Sequence, residues 1–356
     1  MSLTSSQSRL LKNVSLPQPL PPIFMTAFVR PDLLEPVLDG ILKQTVMPEK
    51  IIAAVDGARR ESDLPGIKGC LELLQTKCGD IEVEIIERPE NLGCDRSIVQ
   101  GISQVLETHD ALIYLGDDNL PNPYFYETIC RLLSAYRDEP RIASISAYAG
   151  LPAALEIPEN CDFLTSRRLF DWGFATWGHK WREINLGSGG EALNPFGTFY
   201  KMPATLQTKM TMHNQFWLEK NKGTDWVITF TVVSLFLDKV HLISTKSLIE
   251  NIGFGHPESY HYKGAEPDWV NSRFDADYCP QYLPQTLALP DLFEKKLSHL
   301  ELLQTLQGKS KVWLSPDAFL YLLGKVRSLT ELLLLVQIFV SRLPILLRRL
   351  KAGLPI

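Results

Sequence analysis

Apolar residues follow two different periods along the first 150 residues. Short apolar runs end at a glycine or a polar residue, which is typical of strands, and the stretches between them repeat apolar residues at helical spacing. The pattern predicts strands at 23–28, 51–55, 81–85, 111–115 and 142–147, and helices at 33–42, 97–106 and 124–136. Alternating strands and helices predict an α/β fold whose mainly parallel sheet is flanked by helices.

The second half of the chain differs from the first in its residue pattern. It is loop-rich after Gly150 and carries several tryptophans, and one more strand is predicted at 240–249. These changes divide the chain into a flexible tail (1–21), a main domain (22–258) with halves 22–150 and 151–258, a linker or arm (259–310) and an amphipathic helical tail (311–356). We therefore expect one elaborated α/β domain followed by a separate C-terminal segment.

The C-terminal tail is dominated by leucine from Trp313 onward and also carries several basic residues. Its apolar stretches are interrupted before they reach the roughly 18 to 20 residues that span a bilayer. Apolar helix faces beside basic residues are typical of helices that lie on an anionic membrane surface. Packing against the protein body or forming a dimer seam is the alternative for this tail.

The composition and net charge of the chain exclude some classes of function. The 356 residues include 36 Lys and Arg against 41 Asp and Glu, giving a formal charge of -5. Nucleic-acid-binding proteins usually carry an excess of positive charge, and this chain does not, so no nucleic acid partner is expected. The six cysteines form no CxxC pair, and the N-terminus shows no apolar core of a signal peptide. We expect a cytoplasmic protein, held peripherally on the inner face of the membrane.

Three carboxylates follow predicted strands directly. Asp56 ends the second strand, while Asp117 and Asp118 end the fourth. In an open parallel sheet, ligands bind outside the carboxyl ends of the strands, so these side chains should share one rim. Adjacent carboxylates repel each other, and oxygen ligands favour magnesium or manganese over zinc. Acidic residues are also common in turns, so a structural role for the pair remains open.

Several short segments resemble nucleotide-sugar-dependent glycosyltransferases of the GT-A fold. The stretch 115–125 is similar to their metal-binding signature, 26–31 to the opening of family 2 transferases, and 88–96 to the Asn-x-Gly element of that family. The stretch 171–181 resembles the acceptor-side segment of bacterial sugar transferases and, more distantly, of N-acetylglucosaminyltransferase I. Thr224 to Trp226 then sits where those enzymes carry an acid followed by Trp.

This resemblance implies a Rossmann-like GT-A fold in which 22–150 binds the nucleotide sugar and 151–258 the acceptor. It assigns Asp118, with His256 as a second contact, to Mn²⁺ or Mg²⁺, and Asp225 to the catalytic base. Trp172 and Trp177 would stack on the acceptor. The implied donor-binding residues are Thr26, Ala27, Phe28, Arg30, Asp56, Asn91, Gly93, Arg96 and Asp117.

One position departs from the pattern and several roles have a structural alternative. Gly116 stands where the N-acetylglucosaminyltransferase pattern has an acid, so the sugar or nucleotide contacts of that acid are in doubt. Asp225 could be a helix N-cap, His256 a structural histidine, and the two tryptophans core residues.

The expected function is metal-dependent, inverting transfer of a hexosyl or N-acetylhexosaminyl group from a nucleotide-diphosphate sugar, with UDP-sugars favoured. The hydroxyl acceptor would be a glycan or lipid-linked acceptor, in polysaccharide, glycolipid or lipid-linked glycan synthesis. A sugar nucleotidyltransferase is one alternative, although 26–31 lacks a glycine-rich loop for a triphosphate. A catalytically idle, membrane-associated scaffold of the same fold is the other.

Overall fold

A computed structural model describes residues 10–148, 150–151, 156–186, 204–205, 208–209, 226–259, 264–268, 270–284, 286–289, 297–308 and 316–351. The chain divides into two compact units. The first comprises 1–187 and 239–289, and the second comprises 188–238 and 290–356.

The first unit is built on an eight-stranded sheet. Its strands are β1 (Ile23–Ala27), β2 (Lys50–Val55), β3 (Glu82–Glu87), β4 (Ala111–Gly116), β6 (Ile142–Ser146), β7 (Phe163–Ser166), β8 (Phe174–Trp177) and β9 (Val240–Ser244), while β5 (Asn119–Pro121) and β10 (Ile249–Asn251) form a separate antiparallel pair. The helices are α1 (Pro31–Ile41), α2 (Leu64–Thr76), α3 (Cys94–Thr108), α4 (Phe125–Ala135) and α5 (Gly178–Ile184).

The sheet runs in the order β3-β2-β1-β4-β8-β6-β9-β7. The pairs β1 with β2, β1 with β4, β2 with β3 and β6 with β9 are parallel, whereas β8 is antiparallel to both neighbours and β7 to β9. The predicted α/β fold with a mainly parallel sheet flanked by helices is therefore confirmed.

The second half of the sheet differs from the sequence prediction in two respects. The apolar run 240–249 forms two strands, because the chain turns out of the sheet after Ser244, whose Oγ donates to the Lys246 carbonyl at 2.5 Å. The short strands β7 and β8 were not predicted. Three of the four residues of β7 and all four of β8 are buried, so neither shows the apolar and polar alternation that reveals a strand.

Residues of the predicted arm lie inside the first unit. The Asn122 side-chain amide donates to the carbonyls of Asp275 and Tyr278 at 3.2 and 2.9 Å. The Asp162 carboxylate accepts the backbone N–H groups of Gln281 and Tyr282, both at 2.7 Å. These polar contacts tie 275–282 to loops beside the sheet, so this stretch forms part of the first unit and not a free linker.

The second unit contains helices α6 (Trp226–Phe236), α7 (His299–Gly308), α8 (Pro316–Leu323) and α9 (Leu329–Lys351). A small apolar core joins the last three helices, and it includes Leu303, Leu306, Leu322, Leu335 and Ile338. Contrary to the expectation from the sequence, the segment Leu329–Arg348 of α9 is by length and composition apolar enough to cross a membrane, and only 17% of it is buried.

Close packing of α3 on β1 depends on Gly101. A Cβ atom at this position would lie 2.0 Å from Cζ of Phe24, whose ring is fully buried and contacts the ring of Tyr114. The site therefore has no room for a side chain, although alanine favours helices more than glycine does.

We expect Gly101→Ala to lower the free energy of unfolding by about 2 kcal/mol, since overpacking a core outweighs the gain in helix propensity. Chemical denaturation of the purified variant measures this change. Adding Phe24→Leu should recover part of the loss, with a coupling energy of about 1 kcal/mol or more between the two sites. Strictly additive effects of the two substitutions would contradict this packing argument.

A carboxylate cluster at the ends of the parallel strands

The carboxyl ends of β1, β2 and β4 meet at one edge of the sheet. The register pairs Ala27 with Val55 and Thr26 with Gly116, so the loops that leave the three strands start side by side. This edge gathers Arg30 from the first loop, Asp56 from the second and the pair Asp117 and Asp118 from the third. The sheet thus places four charged residues, from distant parts of the sequence, at one edge, which is where open parallel sheets bind their ligands.

Arg30 bridges the two neighbouring carboxylates. Its Nε donates to Asp117 Oδ2 at 3.1 Å, its Nη2 donates to Asp117 Oδ1, and its Nη1 lies 3.2 Å from Asp118 Oδ2. Asp117 is only 5% exposed, and burial raises its pKa to about 6 although Arg30 pulls it down. Burial lowers the pKa of Arg30, but the two carboxylates outweigh that effect and the net shift is upward.

Asp118 is the more accessible member of the pair. Its Oδ1 accepts from the Asn119 side-chain amide at 2.9 Å, and its backbone carbonyl accepts from Ile252 N–H at 3.0 Å. The antiparallel pairing of Asn119 with Asn251 brings Gly253 against the carboxylate. A Cβ on Gly253 would lie 2.3 Å from Asp118 Oδ2, so the close approach requires glycine.

Asp56 organises the turn that precedes α3. Its Oδ1 accepts from the backbone of Gly57 and Leu92, at 3.1 and 2.9 Å, and its Oδ2 accepts from the Asn91 amide and the Gly93 backbone, both at 3.0 Å. Four hydrogen-bond donors thus satisfy this buried carboxylate and fix its orientation. The residue fixes the position of the Asn-x-Gly turn relative to β2.

The other residues of the expected donor site lie around the same edge. Thr26 Oγ1 is 3.0 Å from the Tyr114 hydroxyl, and Ala27 is buried at the end of β1. The Phe28 ring lies 4.6 Å from the Arg59 guanidinium carbon, and Arg96 is exposed on the first turn of α3. The structure therefore brings the first loop and the start of α3 to the same side of the sheet.

A loop at 253–259 returns to the first helix. His256 Nε2 lies 3.1 Å from Asp32 Oδ2, and the Glu258 carboxylate pairs with Arg59 at 3.1 Å and with Arg60 at 3.5 Å. The loop thus runs from Asp118 to the residues that follow β1 and β2. The described contacts place His256 on Asp32, so its role as a metal ligand stays a prediction.

The two expected acceptor tryptophans have different environments. Trp172 is half-buried, with its ring centroid 4.3 Å from that of Tyr148 and 6.1 Å from that of Phe254. Trp177 is 1% exposed, and its Nε1 donates to the Leu133 carbonyl at 3.1 Å. The acceptor assignment of Trp177 is therefore corrected, because its ring is enclosed in the core and cannot meet a sugar.

Sequence reasoning missed Asn119, Gly253 and Asp32 as members of this site. Asn119 follows the acidic pair directly, so the motif itself could have indicated it. The roles of Gly253 and Asp32 depend on contacts with Asp118 and His256 that are distant in sequence. The expected base, Asp225, lies outside the described residues.

The possible metal ligands at this edge of the sheet are carboxylate oxygen atoms. Among the described residues, no three His, Cys, Asp or Glu side chains are grouped so as to hold an ion by themselves. The carboxylate of Asp118 is partly exposed, with 21% of its side chain accessible. Magnesium commonly uses one or two carboxylates and takes its remaining ligands from substrate phosphates and water, so the edge fits an ion that arrives with a phosphate.

The family model for glycosyl transferase family 2 matches residues 23–193, just under half of the chain. No curated protein matches the chain. One similar solved structure is the mannosyltransferase PcManGT from Pyrobaculum calidifontis in complex with GDP-Man and Mn²⁺, with 14% identity, a TM-score of 0.33 and coverage of 50% of this chain and 49% of that one.

Another similar structure is S. aureus TarS 1–349 in complex with UDP, with 8% identity, a TM-score of 0.37 and coverage of 90% of this chain and 71% of that one. The chain spans about half the length of the mannosyltransferase. Because both TM-scores are low, these two similarities carry no argument about this protein.

The family match covers the strands and loops that build the carboxylate edge, from β1 through Asp117 and Asp118 to α5. It also agrees with the resemblance of the strand-end motifs to family 2 transferases. Over residues 23–193 the chain is therefore similar to a glycosyl transferase family 2 domain, and its mainly parallel sheet flanked by helices is GT-A-like.

Proposed function

We propose that the protein is a metal-dependent, inverting glycosyltransferase that moves a hexosyl or N-acetylhexosaminyl group from a nucleotide-diphosphate sugar to a hydroxyl acceptor. The observation that carries this proposal is the meeting of Arg30, Asp56, Asp117 and Asp118 at the carboxyl ends of β1, β2 and β4. UDP-sugars are the donors that the family resemblance favours. The acceptor would be a glycan or a lipid-linked acceptor in polysaccharide, glycolipid or lipid-linked glycan synthesis.

The donor would lie along the three strand-end loops. The turn at Asn91 to Gly93, which Asp56 holds in place, and the loop from Thr26 to Arg30 would flank the nucleotide. The turn at 91–93 is held by hydrogen bonds to the Asp56 carboxylate, so less ordering entropy would be lost there on binding.

The diphosphate would lie beside Asp118. A Mn²⁺ or Mg²⁺ ion held by Asp118 and the donor phosphates would supply charge neutralisation for the leaving diphosphate. Asp117 is buried behind Asp118 and is paired with Arg30, so it would position the site and not take the ion directly. His256 would reach the ion only after leaving Asp32.

The acceptor would enter from the side of Trp172. Its ring is partly accessible and is held by Tyr148 and Phe254, which suits stacking on a sugar face. We assign the general base to Asp225, which would take the proton of the attacking hydroxyl. A single displacement of this kind inverts the anomeric carbon.

Asp118→Ala should abolish sugar transfer and remove the manganese-dependent part of nucleotide binding, because the substitution deletes the proposed metal ligand. Thermal-shift screening of UDP, GDP, CMP and dTDP with Mn²⁺ measures binding and also identifies the donor class. Hydrolysis of the matching nucleotide sugar measures the chemistry.

The matched control is Asp110→Ala, whose carboxylate is exposed just before β4 and pairs with Arg137 at 3.1 Å. This variant should behave as wild type in both assays. Unchanged turnover in Asp118→Ala would refute the metal assignment. Metal-independent nucleotide binding without any hydrolysis would favour the idle scaffold, and pyrophosphate release from a nucleoside triphosphate and a sugar phosphate would favour the nucleotidyltransferase.

Gly253→Ala should weaken metal-dependent nucleotide binding and lower the free energy of unfolding by about 1 to 3 kcal/mol, because the new methyl group must displace the loop or the Asp118 carboxylate. Calorimetric titration and chemical denaturation test the two effects. Gly264→Ala is the control, since a Cβ there meets nothing within 4 Å. Equal behaviour of the two variants would show that the close contact with Asp118 is unimportant.

We also propose that the protein is cytoplasmic and binds the inner face of the membrane through α9. Apolar residues recur on one side of this helix at alternating spacings of four and three residues. This apolar stripe consists of Leu329, Leu333, Val336, Val340, Leu343, Leu347 and Leu350, all of them exposed. An uninterrupted apolar face of this length is unusual on a soluble surface.

The opposite side of α9 argues for a helix that lies flat on the membrane and does not cross it. Leu335 and Ile338 are buried against the other helices of the unit, and Arg342, 3% exposed, donates to the Leu306 carbonyl at 2.9 Å. Gln307 donates to Gln337 at 2.9 Å. A crossing helix would carry these polar groups of α7 into the hydrocarbon, which is unfavourable.

The charges at the two ends of α9 favour a lipid surface over a second copy of the chain as the partner of the apolar stripe. Lys325 and Arg327 precede the apolar stripe, Arg348, Arg349 and Lys351 end it, and Glu331 is the single acid between residues 324 and 351. Pairing two stripes in either direction would place basic residues against basic residues. Anionic lipid headgroups complement both ends.

Replacing Leu333 and Leu347 with serine should weaken vesicle binding by about tenfold per leucine, because each substitution removes apolar surface that the lipid would cover. Flotation with phosphatidylcholine vesicles, with and without phosphatidylglycerol, measures binding. Leu64→Ser is the control, since Leu64 is as exposed as Leu333, at 54%, but belongs to the first unit. Dimers that the double variant dissociates, in the absence of any flotation, would instead establish a dimer seam.

A further inference from the structure

One guanidinium holds both carboxylates at the end of β4. Arg30 contacts both oxygens of Asp117 and one oxygen of Asp118, and the remaining Asp118 oxygen accepts from Asn119. Each carboxylate oxygen of the pair therefore already has a donor beside it. A divalent cation must approach Asp118 to about 2 Å, and on Oδ2 it meets the positively charged guanidinium of Arg30 only 3.2 Å from that oxygen.

Arg30 and a metal cation would compete for the same carboxylates, and the charge of Arg30 disfavours the cation. Two carboxylates carry two negative charges, and Arg30 leaves only one of them uncompensated. Because the pair is largely screened from water, this difference acts at short range and in a medium of low effective dielectric. The site with Arg30 in place is therefore a weak binding site for a free metal ion.

The backbone of Arg30 is held independently of its side chain, so a change of partner would require only the side chain to move. Its backbone is fixed at the start of α1, where its carbonyl accepts from Leu33 at 3.2 Å and from Leu34 at 3.0 Å. Its side chain is 16% exposed and ends at the two carboxylates. Guanidinium groups bind phosphate oxygens through the same two-pronged geometry that they use with carboxylates.

We propose that Arg30 keeps the metal site closed until the donor arrives, and that it then transfers from Asp118 to the donor diphosphate. The diphosphate brings negative charge that both the metal and Arg30 can share, so nucleotide binding opens Asp118 to the cation. Metal and nucleotide then bind with positive coupling that passes through this one side chain. The inference rests on the proposed assignment of the metal to Asp118.

The test measures metal binding directly, apart from catalysis. Electron paramagnetic resonance of free Mn²⁺ gives the affinity of the full-length protein for the metal alone and in the presence of UDP. Arg30→Gln should bind Mn²⁺ alone about tenfold or more tightly than wild type, because an uncompensated carboxylate pair attracts the ion. UDP should raise the Mn²⁺ affinity of wild type more than that of the variant.

Arg137→Gln is the matched control, since this arginine pairs with an exposed aspartate at the opposite end of β4. It should leave both affinities unchanged. Arg30→Lys keeps the charge but loses the two-pronged contact, and we expect it to fall between wild type and Arg30→Gln. This variant decides the question if circular dichroism shows that Arg30→Gln does not fold.

Failure of the inference and failure of the proposed function give different results. If wild type binds Mn²⁺ with UDP but neither Arg30 variant binds the metal alone more tightly, the gating role of Arg30 is refuted and the metal site stands. If neither wild type nor the Arg30 variants bind Mn²⁺ under any condition, the assignment of the metal to Asp118 is itself wrong, and the coupling with it.

Discussion

The buried carboxylate of Asp117 is the constraint on which the arrangement of this domain depends. Leaving such a charge unpaired in the interior costs several kcal/mol. Its partner, Arg30, comes from the loop after β1, and it reaches Asp117 because β1 and β4 are neighbours in the sheet. The parallel pairing of these two strands is thus tied to the ion pair at their carboxyl ends, and a change in either would disturb the other.

A second connection completes the same edge from the far end of the domain. The short pair of β5 and β10 joins the segment after Asp118 to the segment before Gly253. The backbone of the later segment then lies against the carboxylate, and its loop continues to Asp32 at the start of α1. Three chain segments that are far apart in sequence therefore limit the motion of Asp118, which suits a residue proposed to hold an ion in a fixed place.

The fold could be predicted from the sequence where strands and helices have distinct periods. The apolar runs that form β1, β2 and β4 are buried, end at recognisable loops and follow the rules of parallel sheets. The strands β7 and β8 could not be predicted in this way. Each is four residues long and mostly buried, so its sequence does not alternate between apolar and polar residues.

The same limit applies to the site. Asp56, Asp117 and Asp118 could be predicted because their position depends only on where strands end. Trp172 and Trp177 belong to one motif, yet the first is partly accessible and the second lies in the core, a difference that tertiary packing alone decides. The contact of Arg30 with both aspartates could likewise not be predicted, because a sequence motif does not show which charged side chains pair with each other in the fold.

The order of strands in the sheet bears on how the chain is made. Strand β9 lies between β6 and β7, yet it follows both in the chain, after the 188–238 portion of the second unit. During synthesis, β1 to β4 can assemble as soon as they leave the ribosome, whereas β7 must wait for β9 before it gains its partner in the sheet. The half of the sheet formed by β1 to β4 thus has the more local contacts and is expected to fold first.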